Sequence, residues 1–464
     1  MAVLGAFALP HPPIMLPEIG RGEERKIADT LRAYRDAARR AAELKPDVFV
    51  VFSPHSTLYA DYFHISPGRG ACGDFGDFGR PDVKVSAEYD EELARAVAEE
   101  ASADGLGAGF LGERNKKLDH AVMIPLRALQ EFCPDVPIVR IGLSGFSPLQ
   151  HYTFGMAVAR AVQRLNRRAV IIASGDLSHK LKAEGPYGFA EEGPVFDRCV
   201  TDVFQSGDFG KLLDLSPEFC DAAAECGLRS FLMMAGALDG QAVECRLLSY
   251  EGPFGVGYAV ASFIPCGAHP SRHFGKLYAE RKRRELDTIA SKEDVYVRLA
   301  RLSLESWVKT GQRATLPEGL PPELTRRRAG VFVSLKKDGR LRGCIGTIFP
   351  AASCVAEEIL RNARSAGTAD PRFPAVTRDE LPWLVYDVDV LTEPEIAQRS
   401  QLDAVKYGVV VRCGSRCGSR CGVLLPDLEG VKSPQQQIAI ALNKAGIAPD
   451  EDYTIERFQV VRHQ

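Results

Sequence analysis

Histidine is scarce in this chain, with nine residues in 464, and tryptophan scarcer still, with two. No apolar run approaches the roughly 20 residues needed to span a bilayer, which excludes a membrane-spanning helix. Charge of one sign is also lacking. The formal net charge is -3, which excludes a general binder of nucleic acid or anionic membrane. The apolar start Met1–Leu9 has no basic segment before it and no small-residue cleavage site after it, so no signal peptide is expected. Without secretory features, the twelve cysteines read as reduced thiols of a cytoplasmic protein rather than a disulfide framework.

What is present is an ordinary globular mix, 45% hydrophobic and 26% charged. The chain is long enough for two or three domains of roughly 100–200 residues. In residues 1–265, short apolar runs alternate with helical stretches. Val3–Leu9, Val48–Phe52, Pro137–Leu143 and Ala169–Ala173 read as buried strands. Glu23–Leu44, Glu88–Ala101 and Leu149–Leu165 read as helices, the last behind a Ser147-Pro148 start signal. This order implies an α/β domain with a largely parallel central sheet flanked by helices. Leu247–Tyr250 and Gly257–Phe263 add a terminal hairpin. The Gly-rich stretch Pro67–Pro81 lacks a P-loop pattern and reads as a mobile lid. Residues 266–275, mixing Gly, Pro, Ser and His, read as a linker.

Residues 276–464 read as an α+β domain. Helices are expected at Leu277–Ile289 and Lys292–Thr310. Asp338-Gly339 between two apolar runs marks a hairpin. Later strands are expected at Val385–Leu391, Val409–Arg412, Gly422–Leu425 and Glu456–Val461, with a helix at Pro434–Ala445. A local repeat places Cys413, Cys417 and Cys421 at four-residue steps between two strands. A hairpin lengthened by internal duplication explains it more simply than a soft-metal or iron–sulfur site, because the spacing matches neither standard pattern. The interleaved arginines are expected to lower the thiol pKa values.

Three of the rare histidines follow apolar strands: His11 in LPHPP, His55 in SPHS and His179 in SGDLSH. Ligands of open α/β sheets collect outside the carboxyl ends of strands, so these imidazoles point to one shared site. Two His and one carboxylate suit non-haem Fe(II). The carboxylate candidate is Glu225, which opens the apolar helical run Leu228–Leu238, where an unpaired charge is costly. His64, nine residues after His55, reads as structural.

With these motifs, residues 1–265 resemble the LigB family of class III extradiol ring-cleavage dioxygenases, related to the Memo family. The resemblance implies that His11, His55 and Glu225 hold Fe(II), that His179 is the catalytic acid–base, and that His120, in Leu118-Asp119-His120, is a further active-site histidine. Memo proteins use a cysteine in the Glu225 region, and Cys226 stands as the alternative ligand; the hard carboxylate is preferred because it completes a two-His-one-carboxylate set. Asp119 and Asp176 are candidates to orient the imidazoles. The second half resembles the AMMECR1 domain through Leu341-Arg342-Gly343-Cys344-Ile345-Gly346, Asp370-Pro371-Arg372-Phe373-Pro374, Leu424-Leu425-Pro426 and Arg457-Phe458. Of these, Arg342 is suited to an anionic ligand, Cys344 faces a cleft or packs as a small hydrophobe, and Gly343 and Gly346 permit close backbone approach. Such domains occur with Memo-like and radical-SAM proteins.

The reading is therefore an Fe(II)-dependent oxygenase acting on a catechol-like aromatic. Its alternatives are a component of a modification system with a radical-SAM partner and a peptide-borne substrate, or a non-catalytic metal-binding module. A small aromatic or peptide-borne substrate is expected, with self-association open and neither nucleic acid nor membrane as partner.

Overall fold

The computed structural model describes residues 3–113, 116–415, 418–428 and 430–464. The chain divides into two compact units, Met1–Glu280 and Arg281–Gln464.

In the first unit, six strands form one sheet: β1 (Val3–Leu9), β2 (Val48–Ser53), β3 (Ile138–Gly142), β4 (Ala169–Ser174), β5 (Gln241–Glu251) and β6 (Tyr258–Ala268). Their order is β3-β2-β4-β1-β6-β5. The first four are mutually parallel, and β6 and β5 add an antiparallel hairpin at the edge. Every residue of β2, β3 and β4 is buried. That is why these strands read as continuous apolar runs rather than alternating ones: helices cover both faces. One apolar core lies on each side of the sheet. Of the helices that matter below, α1 (His120–Gln130) carries a site residue at its first turn. The other two, α2 (Pro148–Arg164) and α3 (Leu228–Ala237), approach backbone to backbone. A Cβ on Gly155 would lie 1.9 Å from the Met233 carbonyl, and one on Gly236 would lie 1.9 Å from that of Tyr152.

Two expectations change here. The Pro67–Pro81 stretch is not a structureless lid. Gly70–Phe75 and Arg80–Glu88 pair as an antiparallel hairpin, with a 3-10 turn, Gly76–Phe78, at its tip. Residues 266–275 are not a free linker either. They hold the end of β6, a 3-10 turn at Pro270–Arg272 and the start of the helix Phe274–Lys292. Arg272 donates to the Gly207 carbonyl and His273 bonds Asp239 at 2.7 Å, so polar contacts tie the segment to the first unit.

The second unit is α+β. One antiparallel sheet runs Arg340–Thr347, Val331–Lys337, Leu384–Leu391, Val460–His463, and a second runs Glu395–Ile396, Thr454–Phe458, Gly408–Ser415, Gly418–Leu424. Asp338 and Gly339 both adopt positive φ (51° and 77°), which gives the hairpin turn its required hand. Cys413 and Cys421 lie on adjacent strands but pair with Arg420 and Arg412 rather than with each other, and therefore point to opposite faces. The two thiols therefore do not converge on one ligand site. Cys417 falls outside the described residues. Burial pushes the Cys421 thiol up, against the lowering expected from its arginine neighbours.

Two of the AMMECR1-like motifs prove to be each other's partners. Asp370 accepts from the Cys344 backbone N–H (2.9 Å) and from Arg372, and Arg372 reaches back to the Cys344 carbonyl. Arg342 is not free for an anionic ligand: it donates twice to Glu380, at 2.9 Å each, and to the Pro374 carbonyl. Gly343 lets the helix Val355–Thr368 approach, since a Cβ there would sit 2.2 Å from the Ala366 carbonyl. Gly346 makes room for the Phe332 ring. Cys344 is half-buried, with Ser334 Oγ donating to its sulfur at 3.3 Å.

Candidate metal centre

Three adjacent parallel strands deliver the site. His11 lies two residues past β1, His55 two past β2, and Asp176 two past β4, with His179 three further on. His120 joins them from the first position of α1. The His11 and His55 rings meet edge-on with centroids 4.9 Å apart, and His120 lies 4.4 Å from His55 and 5.3 Å from His11.

The Nε2 atoms of His11 and His55 are 3.1 Å apart. At roughly 2.1 Å per metal–imidazole bond, that is the spacing of two ligands at about 95° around one ion. The sulfur of Cys226 lies 3.7 Å from His11 Nε2. Ligand atoms of His11, His55 and Cys226 all fall within 4.8 Å of one another. These residues fit a metal ion.

Glu225, expected as third ligand, is placed elsewhere. Ala224 turns left-handed (φ 52°) to end the preceding helix, Pro217–Ala223. This swings the Glu225 carboxylate back to accept from the Leu228 backbone N–H at 2.6 Å, where it caps α3. Burial pushes that carboxyl up to about 7. Cys226, one residue on, faces the histidines instead. The surrounding loops are locked by glycine: a Cβ on Gly175 would lie 2.3 Å from the Gly227 Cα.

A hydrogen bond holds the His11 imidazole. His11 is 2% exposed. Its Nδ1 contacts Ser174 Oγ at 3.0 Å, leaving Nε2 for the centre, and its backbone N–H donates to Asp176 at 2.8 Å. Asp176 therefore positions the His11 backbone rather than the imidazole; burial pushes its carboxyl up to about 6. Asp119 is a hub. It caps α1 through the Val122 N–H and accepts from Ser53 (2.7 Å) and Ser56 (2.8 Å), which flank His55. Arg140 secures it at 3.0 Å and also donates to Ser56 at 2.9 Å. Although burial would raise the Asp119 carboxyl, Arg140 and the two hydroxyls outweigh it and hold the group below its ordinary value.

His179 stays outside the ligand group. Its ring lies 5.0 Å from Tyr187, and its Nε2 is buried without a hydrogen-bond partner among the described residues. Asp197 fixes its loop by accepting from the Ser178 N–H and the Tyr250 hydroxyl, at 2.7 Å each. Burial, then the neighbouring imidazoles His11 and His55, depress His120 to about 3. Burial likewise depresses His11 and His179. The hairpin tip reaches the site through Phe78, edge-on to His120 at 5.2 Å. His64 is buried in the short strand Phe63–His64 beside Tyr59.

Residues 5–261 match the family model described as the catalytic LigB subunit of aromatic ring-opening dioxygenase. The chain belongs to this family. Behind it, residues 297–463 match the AMMECR1 model. A protein of Clostridium acetobutylicum is 40% identical over the full length of both chains. One of Thermotoga maritima is 47% identical over 37% of this chain and 98% of its own. Among solved structures, an uncharacterized protein of Pyrococcus horikoshii is 33% identical over 36% of this chain and 88% of its own, with a TM-score of 0.33. The LigB unit thus has the fold of a dioxygenase family that uses a metal, and it carries a His/His/Cys donor set where such a metal would sit. No helix among the described residues is long and apolar enough to cross a membrane.

Sequence reasoning missed Arg140, Ser53, Ser56, Ser174 and Asp197. For Arg140 a signal existed: it is the one charge in the buried strand Ile138–Gly142.

Proposed function

We propose that the LigB unit is a cytoplasmic, Fe(II)-dependent oxidoreductase of the extradiol type, opening the ring of a catechol-like aromatic. The convergence of His11, His55 and Cys226 beside His120 and His179, in a chain of this family, carries the reading. Bound by His11, His55 and Cys226, the metal would supply Lewis acidity toward phenolic oxygens and electrons toward dioxygen. The protein's own groups do the rest. His179, kept neutral at pH 7 by burial, accepts a phenolic proton at its free Nε2 and returns it later. His120 hydrogen-bonds the substrate while Phe78 walls off its other side. Ser174 and the Asp119–Arg140 pair keep the imidazoles aimed.

The thiol in the third position favours a second reading, because thiolate suits softer metals than a carboxylate does. In that reading the unit is a Memo-like metal module working with the AMMECR1 unit and a radical-SAM protein on a peptide-borne group. Anaerobic purification with metal analysis, followed by oxygen uptake against a panel of catechols, separates the two. Iron with catechol-dependent uptake is expected. Retention of zinc or copper, with no uptake on any diol, would overturn the dioxygenase reading.

A further inference from the structure

Three buried side chains behind the histidines carry polar atoms with no hydrogen-bond partner among the described residues. These atoms are Arg140 Nη1, the Tyr89 hydroxyl and both ring nitrogens of His64. The residues are 3%, 8% and 1% exposed. The backbone brings them to one face. Ile65 bridges Ile141, and Ser66 donates its N–H to the Arg140 carbonyl at 3.0 Å, so Ser66 stands opposite Arg140. His64, two residues before Ser66, shares its face. Tyr89 bridges Ile138, two residues before Arg140, and points the same way. The Arg140 charge acts on both the His64 ring and the Tyr89 hydroxyl, and that hydroxyl also lies beside Ser66. The three groups are neighbours, yet none is placed to bond another directly.

Buried polar groups in folded proteins nearly always find a partner, in the chain or in an ordered molecule. Charge decides which molecule suits this cluster. Asp119, 3.0 Å from Arg140 Nη2, already balances the guanidinium, and Glu113 lies within electrostatic reach of Tyr89. A further buried anion would have no counter-charge. The guanidinium in turn repels a metal ion. A neutral molecule remains, and the cluster offers the two to four polar partners that a buried water needs. Ser66 also lines a pocket of about 230 Å³, which brings solvent within one side chain of the cluster. We propose that ordered water bridges Arg140 Nη1, Tyr89 and His64, and that His64 and Tyr89 thereby position the metal centre. The route is short. With Nη1 fixed, the guanidinium keeps Nε on Ser56 at 2.9 Å and Nη2 on Asp119. Ser56 follows His55, and Asp119 caps the helix that begins with His120. His64 and Tyr89 act through Arg140, not on substrate or metal. Their role rests on the reading of His11, His55 and Cys226 as metal ligands.

The test is anaerobic titration of Fe(II) into the full-length protein and its variants, with calorimetric unfolding as the check on folding. His64→Leu removes both ring nitrogens and should weaken Fe(II) binding by about tenfold or more, the usual cost of losing a group that supports a metal ligand. His64→Gln keeps a donor and an acceptor and should restore most of that affinity. Tyr89→Phe, which deletes only the hydroxyl, should weaken binding in the same direction. Leu and Gln are close in size, so a role in packing alone would give the two His64 variants equal affinities. That equality, or native affinity in folded His64→Leu, overturns the proposal while the metal reading stands. Failure of the native protein to bind Fe(II) overturns the metal reading and the positioning role together. Should the variants misfold, a high-resolution crystal structure of the native protein decides. A water within about 2.7–3.2 Å of both Arg140 Nη1 and a His64 nitrogen supports the bridge, and a dry contact between these groups refutes it.

Discussion

Replacing Arg140 with Met tests the hub behind the histidines. Its guanidinium side chain is 3% exposed and the Asp119 side chain 12%, so the pair is desolvated. Arg140 also holds Ser56, and Asp119 caps α1 and holds both serines around His55. Removing the arginine leaves a buried carboxylate without its counter-charge, a change that costs about 3–5 kcal/mol. An exposed pair in the same unit, Arg95–Glu91 at 61% and 38%, is worth about 0–1 kcal/mol by contrast. Calorimetry of the full chain should show the first unit's transition lowered by roughly 10 °C, at about 2–4 °C per kcal/mol for a unit of this size. Both tryptophans, Trp307 and Trp383, lie in the second unit, so tryptophan fluorescence supplies a control transition that should not move. In the double variant Arg140→Met/Asp119→Leu the orphaned charge is gone, and the loss should fall short of the sum of the single losses by more than about 1 kcal/mol. A loss under about 1 kcal/mol in Arg140→Met, or strict additivity in the double variant, would refute the reasoning.

Cys226→Ser and His11→Ala should each lose bound iron, whereas Glu225→Gln should keep it, as metal analysis of anaerobically purified variants will show; the opposite pattern would restore Glu225 as ligand. His179→Ala should keep its iron and its affinity for a diol but lose turnover by about 10²–10⁴-fold in single-turnover kinetics. In the second unit, Arg342 and neighbouring groups outweigh burial and hold Glu380 at about 2. A depressed carboxyl adds stability above its unfolded pKa, and that stability is lost as pH falls through the folded one. The tryptophan-monitored unfolding midpoint should therefore drop between about pH 4.5 and 2, and Glu380→Gln should flatten that slope. Gly343→Ala drives a methyl against the Ala366 carbonyl and should cost the second unit about 1–3 kcal/mol in urea unfolding.

The parallel strands were legible because burial on both faces forces unbroken runs such as Val48–Phe52 and Ala169–Ala173, and histidine is rare enough for its recurrence behind them to stand out. The hairpin Gly70–Glu88 was hidden by the glycines that let it fold. Gly70 has a φ of 158° and lies against the Ala87 carbonyl, at a place where composition alone suggests a loop. Helix α1 was hidden by Pro125 in its interior and by a start at His120 that reads only as a site residue. The choice between Glu225 and Cys226 turned on a single left-handed residue, Ala224, whose conformation no local preference for alanine would suggest. Arg342 looked available because its acceptor, Glu380, lies 38 positions away in sequence.

The sheet order also carries a consequence for synthesis. Strand β1 is synthesised before the other five strands of its sheet, yet both its partners, β4 and β6, come late. At about 5–20 residues per second, β1 waits roughly 10–30 seconds before Ala169–Ser174 exists to pair with it. Throughout that time the seven residues of β1, almost all destined for burial, are a sticky nascent segment in need of a holdase. His11 emerges with them, a metal-seeking imidazole separated from Cys226 by most of the unit. A metal held jointly by His11, His55 and Cys226 would therefore be retained only after Cys226 has been translated.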